Sequence, residues 1–269
     1  MKRKLAFLLM LCFGWSFFLN GCGGTLPKTD DRLQVVCTIF PEYDWARQLT
    51  QGVDNVDLTL LVKNGTDLHS YQPSVRDIAM IARADVFCYV GGVSDTWVND
   101  VLDTTENRTA QLVSMAETAD ADEEVLAEGM QAEHEHEHDH HDDESDSHEE
   151  PPELDEHVWL SLRRAALACT AMKEALCKAD PAHEDIYNQN CTDYLQKLQE
   201  LDSNFTEMTS QAARDTIVVA DRFPFRYLAE DYGLTYYAAF PGCSAETEAS
   251  FETIVFLSEK QTLNEKERM

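Results

Sequence analysis

The chain is predicted to be an α/β protein of two lobes, each a parallel sheet flanked by helices, with a long helix joining them and a second lobe that is incomplete. Three observations carry this. Short apolar, β-branched runs alternate with stretches of helical spacing from Leu33 to Leu102, which is how a parallel sheet covered on both faces reads. From Val158 to Thr209 the pattern is helical, with no strand between. Strand-helix alternation then resumes at Thr216, and the polar LNEKERM at the end of the sequence supplies no closing strand.

Each element follows from its residues. Leu33 to Phe40 (LQVVCTIF) is a strand buried on both faces; Pro41 breaks it, and Asp44 to Leu49 can start a helix. Val56 to Val62 is a second strand. Ser74 followed three residues later by Asp77 forms a capping box, and Ile78 and Ile81 give that helix an apolar face. Ala84 to Val90 is a third strand, closed by Gly91 and Gly92, and Trp97 to Leu102 a helix. Val158 to Lys178 is a helix interrupted by Pro181, and Asp185 to Thr209 a second long one. Thr216 to Ala220 and Thr235 to Phe240 are strands, Pro224 to Asp231 and Ala245 to Lys260 helices, with Gly233 as a C-cap. The expected domains are a leader at 1–21, a linker at 22–31, a first lobe at 32–180 that includes a disordered loop at 117–154, a linking helix at 181–210, and a partial second lobe at 211–269.

A basic start (Lys2, Arg3, Lys4) and the uncharged apolar run Leu5 to Leu19 read as an export signal, because the run falls short of the ~20 residues a membrane span needs. Leu19-Asn20-Gly21-Cys22 resembles a bacterial lipobox, with Asn20 a less usual occupant, so Cys22 is the expected lipid anchor to an extracytoplasmic membrane face. A formal net charge of −29 and a pI near 4.4 exclude nucleic acid as a partner. The six cysteines after Cys22 contain no CxxC pair and are spread too widely for a disulfide-stapled mini-protein, so most read as buried free thiols.

Chemistry concentrates in the tract Ala132 to Glu150, AEHEHEHDHHDDESDSHEE, which holds six of the nine histidines: His134, His136, His138, His140, His141 and His148. Imidazole alternating with carboxylate suits borderline divalent metals such as zinc, and the tract has nothing to bury. It formally contains H-E-x-x-H (His134 to His138), but without the apolar helix face that makes such a motif a zinc peptidase. Parallel-sheet ligands bind beyond the carboxyl ends of strands, where His69, His157 and Asp221 fall.

Asp67-Leu68-His69-Ser70-Tyr71-Gln72-Pro73-Ser74 resembles the "PHSYEPS" block of zinc and manganese ABC-transporter substrate-binding lipoproteins, and Asp155 to Leu160 resembles their "DPHVWLDP" block. The His-rich loop before the second block is typical of the zinc-uptake branch. Phe40 to Trp45 and Tyr227 to Leu234 match further blocks, so the likeness runs from about Leu33 to Leu257. The resemblance implies a rigid helix between the lobes and one metal in the cleft, delivered to a membrane permease driven by an ATPase. It implies His69 and His157 as ligands, and a monomeric receptor rather than an enzyme. Zinc is favoured over manganese because imidazole-rich surroundings are softer; nickel and copper stay open.

The family's third ligand falls on Arg222, which is a cation and cannot ligate. Asp221 beside it is the obvious substitute, although successive strand residues point in different directions. Glu246 and Cys243 in the following loop are the alternatives. The family's acidic fourth ligand comes from a strand beyond the end of this sequence, which leads to the expectation of a truncated chain with weakened affinity. A surface metal buffer working through the His-rich loop is the competing reading.

Overall fold

The computed structural model describes residues 31–63, 65–105, 109–130, 153–244 and 248–266. Strands β1 (Leu33–Cys37), β2 (Val56–Leu60), β3 (Val86–Tyr89) and β4 (Gln111–Ser114) form a wholly parallel sheet in the order β2-β1-β3-β4. Side chains alternate across it. Val35, Cys37, Val86 and Cys88 face a core shared with helices α1 (Phe40–Leu49), α5 (Leu162–Ala179) and α6 (Glu184–Ser210). Val36 and Phe87 face the opposite core, with Ile81 of α2 (Val75–Ile81) and Trp97, Val98 and Val101 of α3 (Trp97–Thr104). A short helix, α4 (Met115–Thr118), follows β4 directly.

The fold class holds: parallel sheets flanked by helices, and one long helix. Individual boundaries moved for identifiable reasons. Pro41 does not simply end the strand; it occupies the first turn of α1, where its missing N–H costs nothing, so the helix begins at Phe40 instead of Asp44. The capping box at Ser74 is present, with Asp77 N–H donating to Ser74 Oγ and Ser74 N–H to Asp77 Oδ2. The helix expected from Val158 opens as a 3-10 turn (Val158–Leu160) and becomes α-helical at Leu162, because Ser161 Oγ caps it by accepting from Arg164 N–H at 3.1 Å. Strand β4 was not anticipated; it is four residues long and carries no periodic signal of its own.

The linking helix α6 runs 27 residues, about 40 Å at 1.5 Å per residue. After it come β5 (Thr216–Phe223), α7 (Arg226–Asp231), β6 (Thr235–Pro241) and α8 (Phe251–Lys266), with β5 and β6 forming a parallel two-stranded sheet. β5 continues past Ala220 through Asp221 because an extra residue is absorbed between Val219 and Arg222, a bulge that lets pairing resume.

The span 117–154, expected to be a disordered loop, is structured where it is described. Glu124 N–H donates to Glu153 O at 2.8 Å and Asp155 N–H to Asp122 O at 2.9 Å, closing the two ends on each other. No described helix is long and apolar enough to cross a membrane. The six described cysteines are free thiols, four of them buried.

Candidate metal centre

The centre is assembled where the ends of β2, β3 and β6 meet the segment leading into α5. Beyond β2, Asp67 caps a 3-10 turn by accepting from His69 N–H at 3.1 Å, which orients the imidazole. His69 Nδ1 lies 2.8 Å from Ser94 Oγ and 3.1 Å from Glu156 Oε1. Ser94, in the turn after β3, donates its N–H to Glu156 Oε2 at 3.1 Å and its hydroxyl to Oε1. Glu156 is fully buried, and Gly92 makes room for it: a Cβ there would fall 2.5 Å from Glu156 Cβ.

Cys243 arrives from the turn after β6. Donor atoms of His69, Glu156 and Cys243 all lie within 4.8 Å of one another. His157 adjoins them. Its ring centroid is 5.5 Å from that of His69, and its Nδ1 is 3.9 Å from Cys243 Sγ. Asp155 Oδ1 lies 2.9 Å from the same Nδ1, a carboxylate-imidazole contact of the kind that orients a ligating ring. Gly242 permits the approach, since a Cβ there would meet His157 Nδ1 at 2.8 Å.

Charge around the site is organised by burial and pairing. The hydrogen bond to Glu156 raises the His69 pKa above its ordinary value, partly opposed by burial and by the nearby Arg222. Burial alone would raise Glu156, but hydrogen bonds from His69 and Ser94 outweigh it and hold the carboxyl below its usual range. Burial, with Glu124, Glu156 and Asp155 close by, pushes the Cys243 thiol well up. Deeper in the first lobe, burial raises Asp95 to about 6, and its Oδ1 has no hydrogen-bond partner among the described residues.

The structure brings His69 and His157 together as expected. It does not bring Asp221. That residue is exposed and its carboxylate accepts from Arg222 N–H at 2.7 Å, because the bulge and strand alternation turn it away while Arg222 faces inward. Arg222 Nη1 reaches Asp67 Oδ2 at 3.5 Å and Ser244 O at 3.4 Å, placing a cation at the rim. Of the two alternatives, Cys243 is at the centre and Glu246 lies outside the described residues. Cys22 and the tract histidines His134, His136, His138, His140, His141 and His148 lie outside them too. Glu156 was missed as a candidate donor. Its only signal is local: it stands where the "DPHVWLDP" block has proline.

Imidazole, carboxylate and thiol together are the donors of zinc-type ions, not of magnesium or calcium. The fold and these side chains define an α/β protein with a candidate metal centre between two parallel sheets. The chain belongs to the family described as zinc-uptake complex component A, periplasmic, which matches residues 35–265; that family is a metal-binding transport component, not an enzyme family. It is 32% identical over 259 residues to the zinc-binding lipoprotein AdcA of Streptococcus pneumoniae, covering 96% of this chain and 48% of AdcA. It is 32% identical over 233 residues to the high-affinity zinc uptake system protein ZnuA of Bacillus subtilis, covering 85% of this chain and 68% of ZnuA. The chain thus spans about half the length of the AdcA relatives it matches. Among solved structures, the Zn(II)-bound ZnuA-like domain of S. pneumoniae AdcA superposes with a TM-score of 0.64 at 29% identity, over 87% of this chain and 76% of that one. The metal-dependent lipoprotein YcdH of B. subtilis gives 0.67 at 25% identity over the same shares.

Proposed function

We propose that this chain is the extracytoplasmic, zinc-capturing receptor of an ABC importer, anchored to the membrane through lipid on Cys22, acting as a monomer and passing its metal to a permease and its ATPase. The observation that carries this reading is the convergence of His69, Glu156 and Cys243 donors within 4.8 Å, beside His157, in a chain of the zinc-uptake family. Zinc is the cargo because the donors are imidazole-rich; manganese prefers carboxylate, carbonyl and water. The tract Glu133 to His148 serves as a low-affinity collector of the metal, an assignment its composition supports.

A chelator-competition zinc titration of the chain lacking residues 133–148 tests the reading. One tight site is expected, weakened about 100-fold or more by His69→Ala, a fraction of the ~10–16 kcal/mol that a full four-ligand set provides. Micromolar binding indifferent to His69→Ala would leave the chain a surface buffer working through its loop. Restoring the tract should add weak sites without changing the tight one.

A further inference from the structure

We propose that Cys243 is itself a metal ligand, supplying a thiolate to the centre alongside His69 and making it a mixed nitrogen, oxygen and sulfur site for thiophilic divalent ions such as zinc and cadmium. This deepens the metal-receptor reading and rests on it.

The position comes first. Cys243 Sγ is one of three donors clustered within 4.8 Å, and it stands 3.9 Å from His157 Nδ1. With metal–sulfur bonds of about 2.3 Å and metal–nitrogen bonds of about 2.0–2.1 Å, neighbouring donors in a tetrahedral site sit roughly 3.3–3.6 Å apart. A contraction of up to about 1.5 Å from the 4.8 Å spread, within reach of side-chain rotation, closes the set around an ion. The approach is built into the backbone, because only glycine at 242 lets the turn carrying Cys243 pass this close to the His157 ring.

The surroundings set this thiol apart. Cys37, Cys88, Cys169 and Cys191 lie within the large apolar core, and Cys177 packs against it. Cys243 instead has His157 beside its sulfur and Glu124 Oε1 3.5 Å from its backbone N–H. Arg222, which occupies the place of the family's third ligand, cannot bind a metal and adds a positive charge at the rim. A thiolate and the Glu156 carboxylate supply negative charge against that cation, restoring the attraction for a divalent ion that arginine would otherwise weaken. On binding, the S–H bond breaks, the S–metal bond forms and the proton leaves to solvent. Sulfur also tilts selectivity: thiolate favours zinc and cadmium, while manganese gains least.

The test is an absorbance titration of the reduced, metal-free full chain with Co²⁺. A thiolate-to-cobalt charge-transfer band in the near ultraviolet is expected; the His/acid tract holds no cysteine and contributes none. The band should vanish in Cys243→Ser, persist in Cys177→Ser, and be accompanied by an affinity loss of about 10–100-fold or more for Cys243→Ser. As a check that needs no variant, saturating Zn²⁺ should slow alkylation of Cys243 in the wild-type chain, because the free thiolate is the nucleophile. Cobalt binding that depends on His69 but shows no such band, or a band that survives Cys243→Ser, overturns the thiolate ligand and leaves the receptor reading standing. Absence of any His69-dependent site overturns both.

Discussion

The first sheet carries helices on both faces, and β1 and β3 are almost wholly buried between them. The second has two strands and two small apolar clusters, around Phe223, Ala229 and Ala238 and around Ala239, Phe240 and Leu257. Its helix α8 leaves Phe251 82% exposed and Ile254 53% exposed. A sheet of two strands is marginal without packing against something larger, and here that support comes from the first lobe. Tyr227 of α7 is buried among first-lobe residues, its hydroxyl donating to Asp155 O at 2.7 Å and accepting from Asp122 N–H at 3.0 Å. Arg164 Cζ lies 4.2 Å over its ring, and Ser161 donates to Asp231 Oδ2 at 2.6 Å. The lobe that delivers Cys243 is thus fastened to the same peptide, Asp155, that leads into Glu156 and His157. The contacts that dock the second sheet and the candidate donors therefore share one segment, Asp155 to His157.

Tyr227→Ala breaks that dependence most directly. It should cost about 3–5 kcal/mol in denaturant unfolding and weaken zinc binding although Tyr227 contributes no donor; unchanged affinity would mean that the lobes are positioned independently of it.

Next in size is a titration confined to the robust lobe. Glu42 is fully buried and accepts from Thr38 and Ile39 N–H groups; burial, then Asp95, raises its pKa from an ordinary 4.5 to about 8. Between those values the folded chain holds a proton that the unfolded chain has released, so this group's contribution to stability is fully present below about pH 4.5 and is lost as pH rises toward about 8. The loss is on the order of a few kcal/mol. Glu42→Gln should flatten this slope when unfolding midpoints are compared at about pH 5 and about pH 8. An identical slope in the variant would place the effect elsewhere.

Gly242→Ala tests the close approach itself. Its Cβ would strike the buried His157 ring and come within 3.0 Å of Pro224 Cα, so zinc affinity should fall about 10–100-fold and the unfolding midpoint should fall with it. Gly92→Ala, pressed against the buried Glu156, should lower both. The smallest effect is expected at Asp221→Asn, which should leave zinc affinity unchanged within error; a clear loss would return Asp221 to the ligand set.

Much of the first lobe was legible in the chain. The run of β1, the Ser74 capping box and the His69 loop each carry a local signal that tertiary packing does not override. The second lobe was harder. β5 reads as ending at Ala220 because Asp and Arg follow, yet pairing continues to Phe223 across the bulge. Glu156 was hidden because its value depends on His69 and Ser94, which are distant in sequence and give no periodic hint of meeting it.

The sequence by itself determined the alternation that makes parallel sheets, the long helix between them, the motif blocks of the family and His69 and His157 as candidate ligands, since all of these rest on local pattern. It also showed that Arg222 could not bind a metal. Which side chain approaches the imidazoles instead was decided only by the tertiary structure. One bulge in β5 turns Asp221 to solvent, and a glycine at 242 lets Cys243 reach the imidazoles. Strand register and close backbone approach are set by the packing of distant segments, and no spacing along the chain records them.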